Sequence, residues 1–208
     1  MNAPLLTIAR SEFILGGQKS GKSRRAEGLA RHWLEQGTNH RAVLIATAQP
    51  WDEEMRQRIA RHQADRAQRV PGMATVEEPL QLAQAIGQHS APDTLVVVDC
   101  LTLWLTNCLM PVTPVTPVTP DIDENFKPNR AFAQVERAQA APLLIAIEQA
   151  KGPLVLVGNE IGLGVIPLGT QVRAFVDALG TLNQAVATAC QRVTLMAAGL
   201  PLTLKETP

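Results

Sequence analysis

The chain has 208 residues, 46% of them hydrophobic, enough for one sizeable core and consistent with a single domain. Lys+Arg and Asp+Glu are both 19, so there is no net charge with which to hold a polyanion, and this argues against nucleic acid as a partner. Residues 1–13 lack the basic start and long apolar stretch of a leader, and no apolar run approaches the roughly 18 residues of a membrane span, so the expected location is cytoplasmic. Cys100, Cys108 and Cys190 are odd in number and unpaired by spacing, and read as reduced core residues.

In chain order, short β-branched or apolar runs alternate with longer amphipathic stretches. Phe13–Leu15, Val43–Ala46, Leu95–Asp99, Leu154–Val157 and Val193–Met196 read as buried strands. The helical patterns fall at Lys22–Gln36, Asp52–Asp65, Pro79–Gln88, Leu101–Cys108, Arg130–Ala150 and Thr170–Ala189. This alternation predicts an α/β fold, a mostly parallel sheet with helices on both faces. Val193–Met196 and Leu202–Lys205, separated by a turn-rich Ala197–Pro201, predict a closing hairpin with an antiparallel edge strand. Pro111–Pro120 repeats Pro-Val-Thr, which excludes helix and central strand and predicts an extended, mobile surface loop.

Gly16-Gly17-Gln18-Lys19-Ser20-Gly21-Lys22-Ser23 satisfies G-x-x-x-x-G-K-S between a strand and a helix, the context a phosphate-binding loop requires. Glycines let backbone N–H groups turn inward, the helix N-terminus adds partial positive charge, and Lys22 can reach the β- and γ-phosphates. Ser23 is the expected Mg²⁺ ligand. Asp99 ends a buried parallel strand, and beside such a loop it is expected to hold or orient Mg²⁺ from the neighbouring strand; the competing role is a cap for the helix that follows.

A P-loop says nothing about the acceptor. Further motifs make the resemblance specific: Ala46-Thr47-Ala48-Gln49, Asp52-Glu53-Glu54-Met55-Arg56-Gln57-Arg58-Ile59 with His62, Asp99–Asn107, and Gly158–Pro167 followed by Arg173, Phe175, Asp177, Gly180, Leu182, Asn183 and Gln184. From about Phe13 to Lys205 the chain resembles the bifunctional adenosylcobinamide kinase/adenosylcobinamide-phosphate guanylyltransferases of cobalamin assembly. The resemblance implies phosphorylation of the aminopropanol arm of adenosylcobinamide by ATP or GTP. Transfer of GMP from GTP to that phosphate follows, through a GMP–histidine intermediate.

By the same resemblance His62, placed after Arg56-x-Arg58-Ile59, is the nucleophile, and a neutral imidazole suits attack on phosphorus. Ala46, Thr47 and Ala48 are implied to contact nucleotide at a strand end, as are Gln63, Ala64, Asp65 and Arg66 after the histidine. Glu77 matches a further nucleotide-contacting position and is expected to accept from guanine N1–H and N2–H₂; an acid at a helix start in Glu77-Glu78-Pro79 fits equally. Asn159 and Glu160 are polar contacts without an assigned partner, with a structural turn network as the alternative. Adenosylcobinamide and its phosphate are the implied partners, Mg²⁺ the implied cofactor, and a ring-like homo-oligomer the implied assembly. The sequence departs from the family pattern at Gln18 and Lys19, at Met73, at Arg61, and in a longer stretch between His62 and Glu77. A monofunctional P-loop kinase remains the alternative; a GTP-regulated switch lacks its N-K-x-D motif.

Overall fold

The computed structural model describes residues 6–110 and 128–207, with the side chains of its fifth helix described from residue 138 onward. Pro111–Pro120 therefore lies outside the described residues. Among the described residues seven strands, β1 (Ser11–Gly16), β2 (Arg41–Ala46), β3 (Ala74–Glu77), β4 (Thr94–Asp99), β5 (Leu154–Val157), β6 (Arg192–Ala197) and β7 (Leu200–Glu206), form one sheet in the order β3-β2-β4-β5-β1-β6-β7. Every pairing is parallel except β6 with β7. The expected α/β fold and C-terminal hairpin are both present.

Among the described residues six helices connect the strands: α1 (Lys22–Glu35), α2 (Glu53–Arg69), α3 (Leu82–His89), α4 (Leu101–Leu109), α5 (Pro128–Gln149) and α6 (Thr170–Ala189). The strand period of two divides the core into layers. Phe13, Leu15, Val96, Val98, Leu154 and Leu156 point toward α3–α6. Their alternates Ile14, Leu95, Val97, Val155 and Val157 point toward α1. Both faces are thus buried, which is why the strands read as continuous apolar runs.

One strand and two helix boundaries depart most from expectation. β3 was not anticipated: it has four residues at the sheet edge and none of its side chains is fully buried, so it carries no apolar alternation to read. α3 begins at Leu82 rather than Pro79, because the Glu78 carboxylate accepts from the N–H groups of Leu80 (2.9 Å) and Gln81 (2.8 Å) and holds those residues in a turn. α2 runs on to Arg69, and Asp52 caps it by accepting from Met55 N at 2.6 Å.

A charge cluster is buried inside the sheet. Glu12 on β1, 1% exposed, accepts from Arg25 Nε of α1 (2.8 Å), Thr194 Oγ1 of β6 (2.8 Å) and Arg192 Nη1 (3.4 Å). Arg192 also donates to Glu206 of β7 at 2.6 Å and to the Thr7 carbonyl at 2.7 Å. Glu12→Ala leaves Arg25 without its carboxylate partner and Arg192 with Glu206 and Thr7 alone, and should cost roughly 3–5 kcal/mol in a denaturant-unfolding experiment. A loss below about 1 kcal/mol would show that solvent, not Glu12, satisfies the arginines.

Candidate functional site

Strand β1 sits inside the sheet with β5 on one side and β6 on the other, and the chain leaves its carboxyl end into the 16–23 loop, at a crevice of the kind where open α/β sheets bind ligands. The loop is held from both flanks. Glu160 N donates to the Gly16 carbonyl (3.2 Å) from beyond β5, and Gly199 N donates to the Ser20 carbonyl (3.0 Å) from the β6–β7 turn. Ala198 (φ 51°) and Gly199 (φ 81°) make that turn a left-handed pair, the form that matches strand twist. A Cβ on Gly16 would lie 2.5 Å from the Met196 carbonyl oxygen, so this position admits glycine alone.

The helix that follows is built to receive an anion. Gly21 is its N-cap at φ 102° and supplies no side-chain cap, and its first turn holds no acid. An ordinary helix start would carry a capping side chain or a carboxylate to satisfy its free N–H groups. Here Lys22 and Ser23 stand instead, and the Oγ of Ser20 is buried without a partner. Lys22 Nζ donates to the Gly17 carbonyl at 2.7 Å. Burial pushes the Lys22 pKa down, and Asp99 and then Cys100 partly restore it.

Ser23 Oγ donates to Asp99 Oδ2 at 2.7 Å. The pairing crosses more than the expected neighbouring strand: β5 intervenes between β1 and the β4 that ends on Asp99. Asp99 is not the cap of α4. That role falls to Cys100, whose Sγ accepts from Leu103 N at 3.5 Å. Burial, with Asp99 beside it, pushes the Cys100 thiol up to about 12, so it remains protonated.

Thr47 is fully buried, and its hydroxyl donates to the Cys100 carbonyl (2.7 Å) and accepts from Cys100 N (2.9 Å). Asn107 Nδ2 then donates to the carbonyls of Thr47 (2.8 Å) and Pro79 (3.0 Å). Thr47 thus ties the end of β2 to the residue after Asp99, and its hydroxyl is committed to that contact. Ala46 and Ala48 flank it at the same sheet edge.

His62 lies exposed on α2, where no helix residue is fully buried. Polar contacts anchor this helix. Arg69 pairs with Glu27 of α1 and with Asp65, each at 2.8 Å, and Arg66 approaches Glu27 at 4.0 Å. Gln63 Nε2 donates to Glu77 Oε1 at 3.2 Å, and Arg66 Nη1 to Thr75 Oγ1 at 3.4 Å. Gln63 and Glu77 are thereby brought together, while Arg66 turns to Thr75 and Glu27, Asp65 pairs with Arg69, and Ala64 is exposed; among the described residues no hydrogen bond or ion pair links His62 to the loop. Glu77 closes β3 and does not start a helix. His40 stacks on Trp33 at 3.9 Å between ring centroids. The β6–β7 turn and Met196, which wall the loop, were not among the expected site residues; their signal was the Ala-Gly turn itself.

A parallel sheet, a glycine-bounded loop leading into an uncapped helix, and a hydroxyl–carboxylate pair at the helix start define the P-loop nucleotide-binding class. The model of the cobinamide kinase / cobinamide phosphate guanyltransferase family matches residues 12–204. The chain is 43% identical over 197 residues to the bifunctional adenosylcobalamin biosynthesis protein CobP of Pseudomonas aeruginosa, covering 95% of this chain and 98% of that protein. It is 32% identical over 193 residues to the bifunctional adenosylcobalamin biosynthesis protein CobU of Escherichia coli, covering 93% and 98%. The chain belongs to the cobinamide kinase / cobinamide phosphate guanyltransferase family, as the sequence motifs implied.

The buried ammonium gives a separable prediction. Lys22→Met keeps the volume and removes a charge that burial disfavours, so the thermal midpoint should be no lower than that of the wild type. The rise in midpoint that GTP confers on the wild type should vanish, with affinity down about 100-fold or more. A variant still stabilised by GTP would remove Lys22 from the phosphate site.

Proposed function

We propose that this chain phosphorylates adenosylcobinamide with ATP or GTP and then transfers GMP from GTP to the product, releasing pyrophosphate and forming adenosylcobinamide-GDP. The observation that carries the reading is the Lys22, Ser23 and Asp99 constellation in a chain that matches bifunctional relatives over 93% or more of its length. In both reactions Gly16, Gly17, Gln18, Lys19, Ser20 and Gly21 wrap the triphosphate with backbone N–H groups, and Lys22 gives up the Gly17 carbonyl for phosphate oxygens.

The donor set of Ser23 and Asp99, one hydroxyl and one carboxylate, fits Mg²⁺, which keeps most of its shell for water and phosphate oxygens. Held by Ser23 and Asp99, the ion would act as a Lewis acid that neutralises charge developing on the phosphates. Among the described residues no cluster of three His, Cys, Asp or Glu side chains suggests a different metal site.

For guanylyl transfer His62 is the nucleophile. Its ring nitrogen attacks the α-phosphorus of GTP, the α–β bridging bond breaks, and pyrophosphate leaves; the phosphate of the second substrate then displaces the imidazole. The polar anchoring of α2 suits this role, since a helix without a buried side chain can be repositioned at little cost in core packing. Ala46, Ala48, Gln63, Ala64, Asp65, Arg66 and Glu77 surround the nucleotide on this reading, with Glu77 accepting from the guanine edge and Thr47 fixing the strand end behind it.

The assembly is a homo-oligomer. Leu163, Val165, Ile166 and Leu168 follow β5 in one loop and are 82%, 96%, 76% and 97% exposed. Arg173 Nη1 holds this loop by donating to the carbonyls of Pro167 and Leu168. An ordered apolar loop of this kind is characteristic of a surface that another chain covers. The compartment on this reading is the cytoplasm, which suits three free cysteines; no described helix is long and apolar enough to cross a membrane.

Two outcomes test the reading. His62→Asn should abolish covalent labelling by GTP carrying α-label, along with guanylyl transfer, while kinase turnover persists and adenosylcobinamide phosphate accumulates. Wild-type label should be acid-labile, alkali-stable and map to His62; undiminished transfer in the variant rejects the assignment and leaves a monofunctional kinase. Val165→Asp with Leu168→Asp should convert the oligomer to monomer in light scattering, and a monomeric wild type would sink the assembly.

A further inference from the structure

Strand β5 lies between β1 and β4, so the residues that leave its end emerge between the loop at Gly16 and the carboxylate of Asp99. Gly158 is pressed against the Phe13 ring, where an added Cβ would come within 2.8 Å of Cε2, and this fixes where the next residues go. Asn159 N donates to Thr102 Oγ1 at 2.9 Å, and Asn183 Nδ2 of α6 donates to the Asn159 carbonyl at 3.1 Å. Glu160 N is bonded to the Gly16 carbonyl, so Glu160 is tied to the first residue of the phosphate loop. Its carboxylate accepts from Gly162 N at 2.9 Å and from Asn183 Nδ2 at 3.5 Å. Among the described residues no Lys or Arg forms an ion pair with it.

A groove of about 570 Å³ opens beside this carboxylate, lined by Leu15, Glu160, Gly180, Asn183 and Gln184 among others. Asn183 is 4% exposed, and its Oδ1 is buried without a hydrogen-bond partner. A buried orphan acceptor carries a desolvation cost that a donor on a ligand can offset. Neither the triphosphate contacts nor His62 gives Glu160, Asn183 or this groove a role.

We infer that Glu160 is the catalytic carboxylate of the phosphoryl-transfer step, and that the groove between it and α6 seats the alcohol-bearing acceptor. The inference rests on the kinase half of the proposed function. The acceptor hydroxyl donates to Glu160 and is aimed from beside Gly16 at the γ-phosphorus. Its oxygen forms the new O–P bond, the bond from γ-phosphorus to the β–γ bridging oxygen breaks, and the nucleoside diphosphate leaves with that electron pair. The hydroxyl proton passes to the Glu160 carboxylate and from there to solvent. Asn183 orients the carboxylate through Nδ2. Guanylyl transfer does not use Glu160, because its acceptors, an imidazole and a phosphate dianion, bring no hydroxyl proton to remove.

Glu160→Gln keeps a carbonyl oxygen for Gly162 N but cannot take a proton. It should lower kcat for adenosylcobinamide phosphorylation about 100-fold or more, with KM for that substrate within about threefold and covalent labelling by α-labelled GTP within about twofold. Glu160→Asp, a shortened base, should recover at least about a tenth of the lost rate. A kinase kcat within about threefold of wild type, a rise confined to KM, or parallel loss of labelling and kinase activity would each overturn the assignment, the last by showing that Glu160 only shapes the loop. Wild-type protein that labels with GTP yet never phosphorylates adenosylcobinamide would instead remove the kinase reading on which the inference stands.

Discussion

The constraint on which the site depends is a lack of room at Gly16. The β1 strand runs into the β6–β7 hairpin, and the Met196 carbonyl and the Ser20 hydroxyl leave no space for a Cβ, with contacts of 2.5 and 2.6 Å. Closing the loop this tightly brings the Gly199 N–H to the Ser20 carbonyl and packs Gly21 against Gly199, where a Cβ would sit 3.3 Å from its Cα. A loop braced along its backbone keeps its other N–H groups oriented before any phosphate arrives, which is the preorganisation that electrostatic catalysis requires. The hairpin, at the end of the chain and outside every motif, is thus a wall of the phosphate site.

That wall needs its own anchor, and the buried charges provide it. Glu12 lies on β1, Arg25 on the helix the loop leads into, and Arg192 and Thr194 on the strand that carries the hairpin, so one carboxylate joins the three elements that frame the loop. Apolar packing of the same volume could be as stable, but the fork of an arginine fixes angle as well as distance. For a loop that works by geometry, that directional restraint is the physical advantage over a greasy contact.

Much of this was legible in the sequence because the chemistry is local. A strand, eight loop residues and a helix are contiguous from Phe13 onward, and buried parallel strands announce themselves as apolar runs. What escaped is what depends on long-range pairing. β3 is a short edge strand whose partner β2 lies far upstream, and its side chains stay partly wet. Asp99 was placed on the strand next to the loop, but β5, from more than fifty positions downstream, threads between them. The family resemblance implies Thr47 as a nucleotide contact just past the end of β2; no local pattern reveals that its hydroxyl is bonded to Cys100. Pro79 reads as the start of α3, yet the carboxylate one residue before it holds a turn through Leu80 N and Gln81 N and delays the helix to Leu82.

The same topology bears on how one phosphate loop could serve two transfers. Glu160 leaves β5 next to β1, whereas α2 enters the edge strand β3, on the far side of β4 and β2. A triphosphate fixed by Gly16–Ser23 therefore has the proposed acceptor groove on one side and the proposed nucleophile on the other. The two sides are also built differently. The Glu160 side is woven into the core through Gly158, Asn183 and the Gly16 carbonyl, and so holds its geometry. The His62 side is tethered by Glu27, Glu77 and Thr75 through polar bonds alone at the helix surface. A γ-phosphorus always presented at the same place suits a rigid acceptor seat. A nucleophile that must approach the α-phosphorus, carry GMP and surrender it to a second substrate requires a support that can shift, and exchangeable polar tethers on an unburied helix supply one without opening the core.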